Sequence, residues 1–362
     1  MKHAVLVIGL SLLLGAPATA RAVVPGSLGG DQYVYADSYA GWPVAPRHAQ
    51  HPIRGSFLDP RYPDRVYHWG IDINVRDDRR ERAAPPERAH RVYSVEGGTV
   101  SAVRAYGPCM SRRFQIGHFV YWHVDPLVRP GQRIRPGATI GWTCLGAWHV
   151  HLSEWTSVGG RTVWVNPLHP GGKLRPFVDT APPAIHDVRF VTPAMAPAFG
   201  TPIPPDRLRG VVDVNTLVGD PQSFRGWMRG SYRVLLTEHH PYELRAELRR
   251  LSDGRRWRWT VFRADARLDT RVPGLGTPVP FSHHFAPGSI GMLKTTQCLA
   301  GATPRAATSR CGGNHRLRLF ASARTAFWDT RGFLNGAYRL TVTALDTVGN
   351  RTTASTALTI AN

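Results

Sequence analysis

Glycine and proline punctuate this chain too densely for long helices. The 362 residues include 36 glycines and 30 prolines. Pairs such as Gly97-Gly98, Gly107-Pro108, Pro130-Gly131 and Pro136-Gly137 mark tight turns. The stretches left between Pro52 and about Pro170 are short, and none carries an amphipathic helical stripe. Segments of that kind bury their apolar residues as strands joined by turns. The expected fold is therefore mostly β, built from antiparallel sheets.

The pattern changes near Pro167. Gly171-Gly172 and Pro182-Pro183 mark a boundary, and residues 171–183 read as a linker. Beyond it, Ala184–Val191, Gly210–Val218, Tyr242–Leu251, Arg255–Arg263, Arg316–Ser322 and Tyr338–Leu345 are strand candidates. Tyr338 to Ala344 alternates cleanly, Asp346 to Asn350 is a turn, and Thr352–Ile360 returns. Residues 184–362 are thus expected to form an immunoglobulin-like β-sandwich, with an irregular insertion at 273–313. Residues 23–50 lack periodicity and are expected to form an N-terminal arm. After removal of a signal the chain is long enough for two cores.

Chemistry concentrates in the first half. If Trp148–Trp155 is a strand, His149 and His151 project from one face, because alternate residues share a side. One of them can hold a metal while the other stands over an open coordination position. His68 and Asp72, four residues apart in His68-Trp69-Gly70-Ile71-Asp72, supply two further ligand types. Three N/O ligands and one vacancy are what a catalytic zinc needs. The helix-borne HExxH pattern is absent, so a histidine must serve as the proton carrier. Alternation puts Ser153 with His149 and His151, and Glu154 on the other face. In Gly117–Val124, the same test groups His123 with Phe119 and Tyr121, and His118 with Val120 and Trp122. His118 is read as a surface or packed histidine. Asp77 and Asp78, inside a run of arginines, read as a solvated loop. His239-His240 and His283-His284 are read as chance neighbours without chemistry.

Several segments from about Pro52 to Pro167 together resemble the lysostaphin-type zinc endopeptidases of the bacterial cell wall. They include Arg54-Gly55-Ser56-Phe57, Asp59-Pro60-Arg61, His68-Trp69-Gly70-Ile71-Asp72-Ile73, Tyr121-Trp122-His123, Pro136-Gly137 and His149-Val150-His151-Leu152-Ser153-Glu154. The resemblance covers under half of the chain and makes residues 51–170 the peptidase domain. It implies one Zn²⁺ held by His68, Asp72 and His151, with His149 and His123 as catalytic histidines. The implied activity is hydrolysis of peptide bonds in peptidoglycan cross-links or stems. The alternative is a catalytically silent module that binds the wall or regulates another hydrolase.

Export agrees with this reading. Lys2 and His3 precede an apolar run from Ala4 to Leu14, followed by Ala18-Thr19-Ala20 and Ala20-Arg21-Ala22. Residues 1–22 therefore read as a signal peptide, and no later stretch reaches a spanning length. The protein is expected to be secreted or periplasmic. Its four cysteines suit an oxidising compartment. Their segregation along the chain favours Cys109–Cys144 and Cys298–Cys311 over the other pairings. The net charge is +20, and only Lys2, Lys173 and Lys294 are lysines among 45 basic residues. Such a surface suits anionic wall polymers or lipopolysaccharide, although a codon bias toward arginine would give the same composition. No nucleic-acid-binding signature accompanies it. All five site residues and the Cys109–Cys144 pair fall within 45–175, so that fragment is expected to carry the chemistry alone.

Overall fold

The computed structural model describes residues 26–28, 31–33, 41–61, 66–75, 81–147, 149–158, 161–195, 198–221, 239–265, 281–287, 315–322 and 324–362. The expected signal peptide, Asp77, Asp78, Cys298, Cys311 and most of the insertion lie outside these residues. The fold is mostly β, in several antiparallel sheets.

One sheet carries the candidate site. Its strands run in the order Arg133–Ile134, Gly98–Arg104, Arg113–Ile116, Phe119–Trp122, His149–Val158, Ile71–Asn74 and Ile53–Gly55, and Arg161–Val165 adds to His149–Val158. Alternation explains the pairing. Phe119, Tyr121, Val150, Leu152, Ile71 and Ile73 point to one face and are fully buried. Each such side chain stabilises the fold by about 1.5–3 kcal/mol. The opposite face is then fixed by register: Trp122 lies across from His151, His151 from Asp72, and His149 from Asn74. A second, three-stranded sheet pairs Val124–Pro126, Thr139–Cys144 and Arg88–Tyr93. A disulfide joins Cys109 to Cys144.

The C-terminal half contains two four-stranded sheets. One holds Ala184–Val191, Val211–Gly219, His315–Arg318 and Trp328–Asp329; the other holds Arg256–Arg263, Glu243–Arg250, Gly336–Leu345 and Arg351–Ile360. Val212, Val214 and Leu317 of the first share a buried core with Leu244, Leu248 and Leu340 of the second. Trp259 Nε1 donates to Leu319 O at 2.6 Å.

The halves are closely joined. From Trp42 the expected arm belongs to the core: Trp42 and Ala49 are completely buried, and Trp42 Nε1 donates to Pro176 O at 3.0 Å. The expected linker packs back in turn, with Val178 N donating to Gln50 Oε1 at 2.7 Å. Histidines of the C-terminal half reach into the loop that follows Ile53. His239 Nε2 donates to Ile53 O at 2.8 Å, and His240 Nε2 donates to Phe57 O at 2.7 Å. His315 Nε2 lies 3.1 Å from the buried carboxylate of Asp59. Tyr67 Oη meets His284 Nδ1 at 2.9 Å. His239, His240 and His284 thus have structural partners where the sequence suggested only chance neighbours.

Burial alone pushes the Asp59 carboxyl up, but the His315 hydrogen bond and the surrounding histidines outweigh it and hold it well below the usual range. Burial pushes His240 and His284 down to about 4. In the unfolded chain both bind a proton near about pH 6.5. Between that value and about 4 the unfolded state therefore holds more protons, so stability falls as pH falls through this window. Each unit of difference is worth about 1.4 kcal/mol. The thermal midpoint, measured with chelator present, should decline steadily from pH 7 to pH 4, and His240→Gln should flatten part of that slope. A midpoint constant over the window would contradict this assignment. A fragment of residues 45–175 leaves the carbonyls of Ile53 and Phe57 and the Asp59 carboxylate without these partners. Each buried polar group so orphaned costs about 1–3 kcal/mol. The fragment should melt well below the full chain, and equal midpoints would show that the contacts contribute nothing.

Candidate metal centre

Three segments converge on one point. Asp59 O accepts from His68 N at 2.9 Å, and Leu58 N donates to His68 O at 2.7 Å. The side chain of His68 donates from Nδ1 to Ser56 O at 2.8 Å. Its proton is therefore on Nδ1, and the Nε2 lone pair turns inward. Nε2 stands 3.2 Å from Asp72 Oδ1 and 2.8 Å from His151 Nδ1. His151 is set from the other side, with Nε2 3.0 Å from Ser153 Oγ and Nδ1 3.0 Å from Asp72 Oδ1. Ser56 positions Asp59 in return: its N and Oγ donate to the carboxylate at 2.8 and 2.7 Å.

This donor set fits a cation. With Nδ1–H of His68 given to Ser56, its Nε2 lone pair faces the Asp72 carboxylate and the His151 Nδ1; when Ser153 Oγ accepts from His151 Nε2, the Nδ1 lone pair joins them with no proton between. His68 and Asp72 are buried, so water does not relieve that repulsion. The three ligand atoms lie within 4.8 Å of one another. Around a tetrahedral ion at about 2.0–2.1 Å they would stand about 3.3 Å apart, a small outward shift from the present distances. Imidazole and carboxylate donors suit zinc and several other transition metals.

Gly70 makes the arrangement possible. A Cβ built there would lie 2.4 Å from Leu152 O and 2.8 Å from both His151 Nε2 and Ser153 Oγ. Only glycine lets the backbone between His68 and Asp72 pass under the strand His149–Val158.

His149 and His123 stand beside the three ligands. His149 donates from Nδ1 to Ala147 O, its Nε2 is 3.7 Å from Asp72 Oδ1, and Arg54 Nη1 lies 3.3 Å from Nδ1. Burial pushes its pKa well down, the Arg54 charge acts in the same direction, and Asp72 opposes both. His123 donates from Nδ1 to Met110 O at 2.6 Å, and burial lowers its pKa against that hydrogen bond. Its ring centroid is 5.0 Å from that of His149 and 6.0 Å from that of His151. Met110 adjoins the Cys109–Cys144 bridge, so the disulfide braces the carbonyl that holds His123.

One alignment differs from strand alternation. Phe119 and Tyr121 face the core, and His123 does not share their face. The strand ends at Trp122, and His123 has φ of 62°. This left-handed turn, uncommon for a residue with a side chain, swings the ring to the metal side. His118 and Glu154 stay apart: His118 Nδ1 meets Glu96 Oε1 at 3.1 Å, and Glu154 Oε1 meets His169 Nε2 at 3.4 Å. A second group, Asp179, Asp220 and Asp346, also brings three carboxylates close together. There Asp346 Oδ1 accepts the backbone N–H groups of Val348, Gly349 and Asn350, which is turn stabilisation. Arg54 and Ser56 received no role from the sequence, because His149 and His68 are distant from them in the chain; Ser153 was placed on the face of its partner His151, two residues away, but without a role. Gly70 was visible inside the His68–Asp72 interval.

Comparison with protein-family models, with curated proteins and with solved structures gives no match. Among the described residues, no helix is long and apolar enough to cross a membrane. The disulfide fits a compartment outside the reducing cytoplasm.

Groups that orient ligands are worth about 10–100-fold in metal affinity. Ser153→Ala should weaken metal binding by about that range, and Gly70→Ala should weaken it at least as much, since backbone and ligand must both move. Titration of the metal-free protein with zinc or cobalt measures this. Unchanged affinity in both variants would show that neither residue supports the ligands.

Proposed function

We propose that the chain is an exported zinc endopeptidase that hydrolyses peptide bonds in peptidoglycan cross-links or stems. The carrying observation is the convergence of two imidazoles and a carboxylate on one point, with two further neutral imidazoles at its edge. His68, Asp72 and His151 would hold the ion. Bound zinc would polarise the scissile carbonyl and lower the pKa of water to about 7.

The residues around it have separable duties. His149 commits its Nδ1 proton to Ala147 O, which leaves Nε2 as a lone pair near the ligands. Burial and Arg54 keep it neutral at working pH, the state a general base requires. His123 has the same design, with Nδ1 held by Met110 O, and stands ready to exchange a proton with the oxyanion or the leaving amine. Arg54 also adds positive charge where negative charge develops on the substrate. The resemblance to the lysostaphin type supports this division of roles, and the disulfide suits export. Anionic wall polymers or lipopolysaccharide are partners that the +20 charge would favour.

His149→Ala should retain one zinc per chain and lose about 10²–10⁴-fold in turnover of a soluble wall peptide. His151→Ala should lose the zinc itself. Metal analysis and single-substrate kinetics on the same preparations separate the two roles. An undiminished rate in His149→Ala would transfer the proton carrier to His123. Wild-type protein that binds zinc yet releases no fragments from purified peptidoglycan would favour the non-catalytic wall module.

A further inference from the structure

Arginines cover the outer face of the sheet formed by Arg256–Arg263, Glu243–Arg250, Gly336–Leu345 and Arg351–Ile360. Register puts three of them in one row across the strands. Arg256 lies opposite Arg249, and Arg249 lies opposite Arg339. Like charges directly opposite on neighbouring strands destabilise a sheet. A sheet selected for stability alone would not align three.

The carboxylates on this face reach only one member of the row, Arg256, and at long range. Glu243 is shared by Arg245 and Arg263, at 2.8 and 2.9 Å. Glu247 is taken by Arg258 at 2.5 Å, with Arg256 at 3.9 Å. Among the described residues, no ion pair within 4.0 Å joins Arg249 or Arg339 to a carboxylate, and Arg249 Nε is buried without a hydrogen-bond partner.

Beside the arginines runs a ladder of hydroxyls. Thr341 meets Ser355 at 2.8 Å, and Thr343 meets Thr353 at 3.1 Å. Next to the row, an open groove of about 480 Å³ is lined by Arg245, Arg258, Thr260, Thr341 and Thr343, with the ion-paired Glu247 among them. The aromatic residues of the sheet point the other way. Trp259 and Trp257 lie opposite the buried Ala246 and Leu248, and Trp257 packs on Phe333 and Tyr338.

These features select among polyanions. Without outward aromatic rings, the face has no platform for unpaired nucleobases or for stacked sugars. Its outward apolar side chains are the small Ala337 and Ala357 and the half-buried Leu345, which give it little to insert into a bilayer. It offers planar guanidinium forks, which match phosphate oxygens two at a time, beside hydroxyls that can hydrogen-bond to a polyol. We infer that this face binds a linear polymer in which phosphodiesters alternate with hydroxylated units, laid across the strands. The inference does not depend on the metal centre, which lies in the other half of the chain.

The test uses the full chain and purified poly(glycerol phosphate) as the probe. The variant R249Q/R256Q/R339Q removes the row. A matched control, R129Q/R133Q/R135Q, removes three exposed charges from the other half. The row variant should bind at least about tenfold more weakly and show a shallower dependence of affinity on salt, while the control stays within about twofold. Its thermal midpoint should hold or rise, because the opposed charges are gone. If the triple variant melts early, R256Q/R339Q, both at exposed positions, should show the same loss with a normal midpoint. Equal loss in the control would reduce the effect to overall charge and overturn the inference. So would binding of polyglutamate or duplex DNA as tight as that of the probe. Zinc content and soluble-peptide cleavage should be unaffected in the row variant, so failure here is distinguishable from failure of the peptidase reading.

Discussion

The register between Ile71–Asn74 and His149–Val158 is the constraint on which the site depends. It sets His151 across from Asp72 and His149 across from Asn74. On the other face, the same register sets Leu152 across from Ile71 and Val150 across from Ile73, all fully buried. A slip of His149–Val158 by one residue would turn Val150 and Leu152 to the polar face and drive the histidines into the core. The hydrophobic effect therefore holds the ligands in place without touching them. Gly70 lets the incoming chain cross beneath that pair, and the His68 tautomer follows from the Ser56 carbonyl.

A second constraint comes from outside the sheet. The loop that supplies Ser56 O to His68 also carries Asp59, whose buried carboxylate is compensated by His315 from the C-terminal half. The two halves thus share an ionisable core at their junction. Removing one member exposes a desolvated partner, which costs more than the pair contributes when intact. The expectation that the first half suffices alone treated the linker and the arm as loose. Trp42 and Pro176 bind each other directly, and the loop leading to His68 is held by histidines from positions 239, 240 and 315.

What the sequence revealed follows from the range of each interaction. Alternation in His149-Val150-His151 and the four-residue step from His68 to Asp72 are local periodicities, and local periodicity is readable. Turn glycines and prolines announced a β fold for the same reason. His123 was grouped with the wrong neighbours because its φ of 62° arises from contacts with Arg112 O and Cys144 N, both distant in sequence. His239, His240 and His315 carried no signal, because what makes them useful is a carbonyl or carboxylate nearly two hundred residues away or more. Their burial is a tertiary fact, and composition cannot distinguish it from chance.

Local conflict marks function in two different ways here. At the candidate metal centre three ligand atoms crowd together in a buried place, which a cation would relieve. On the outer sheet face the conflict is three arginines in one cross-strand row, which an anion would relieve. Neither arrangement helps the fold, and each is held in place by well-packed residues on the far side of the same strands: Val150 and Leu152 in one case, Leu248 and Leu340 in the other. Sequences usually agree across levels of structure, and the exceptions tend to fall at sites with another task. The two exceptions carry opposite unmet charge requirements. They sit on separate sheets, so each can be filled without disturbing the other. If the proposed peptidase recruits a polyanion on one sheet, it would thereby raise the local concentration of its substrate without any change in the chemistry itself.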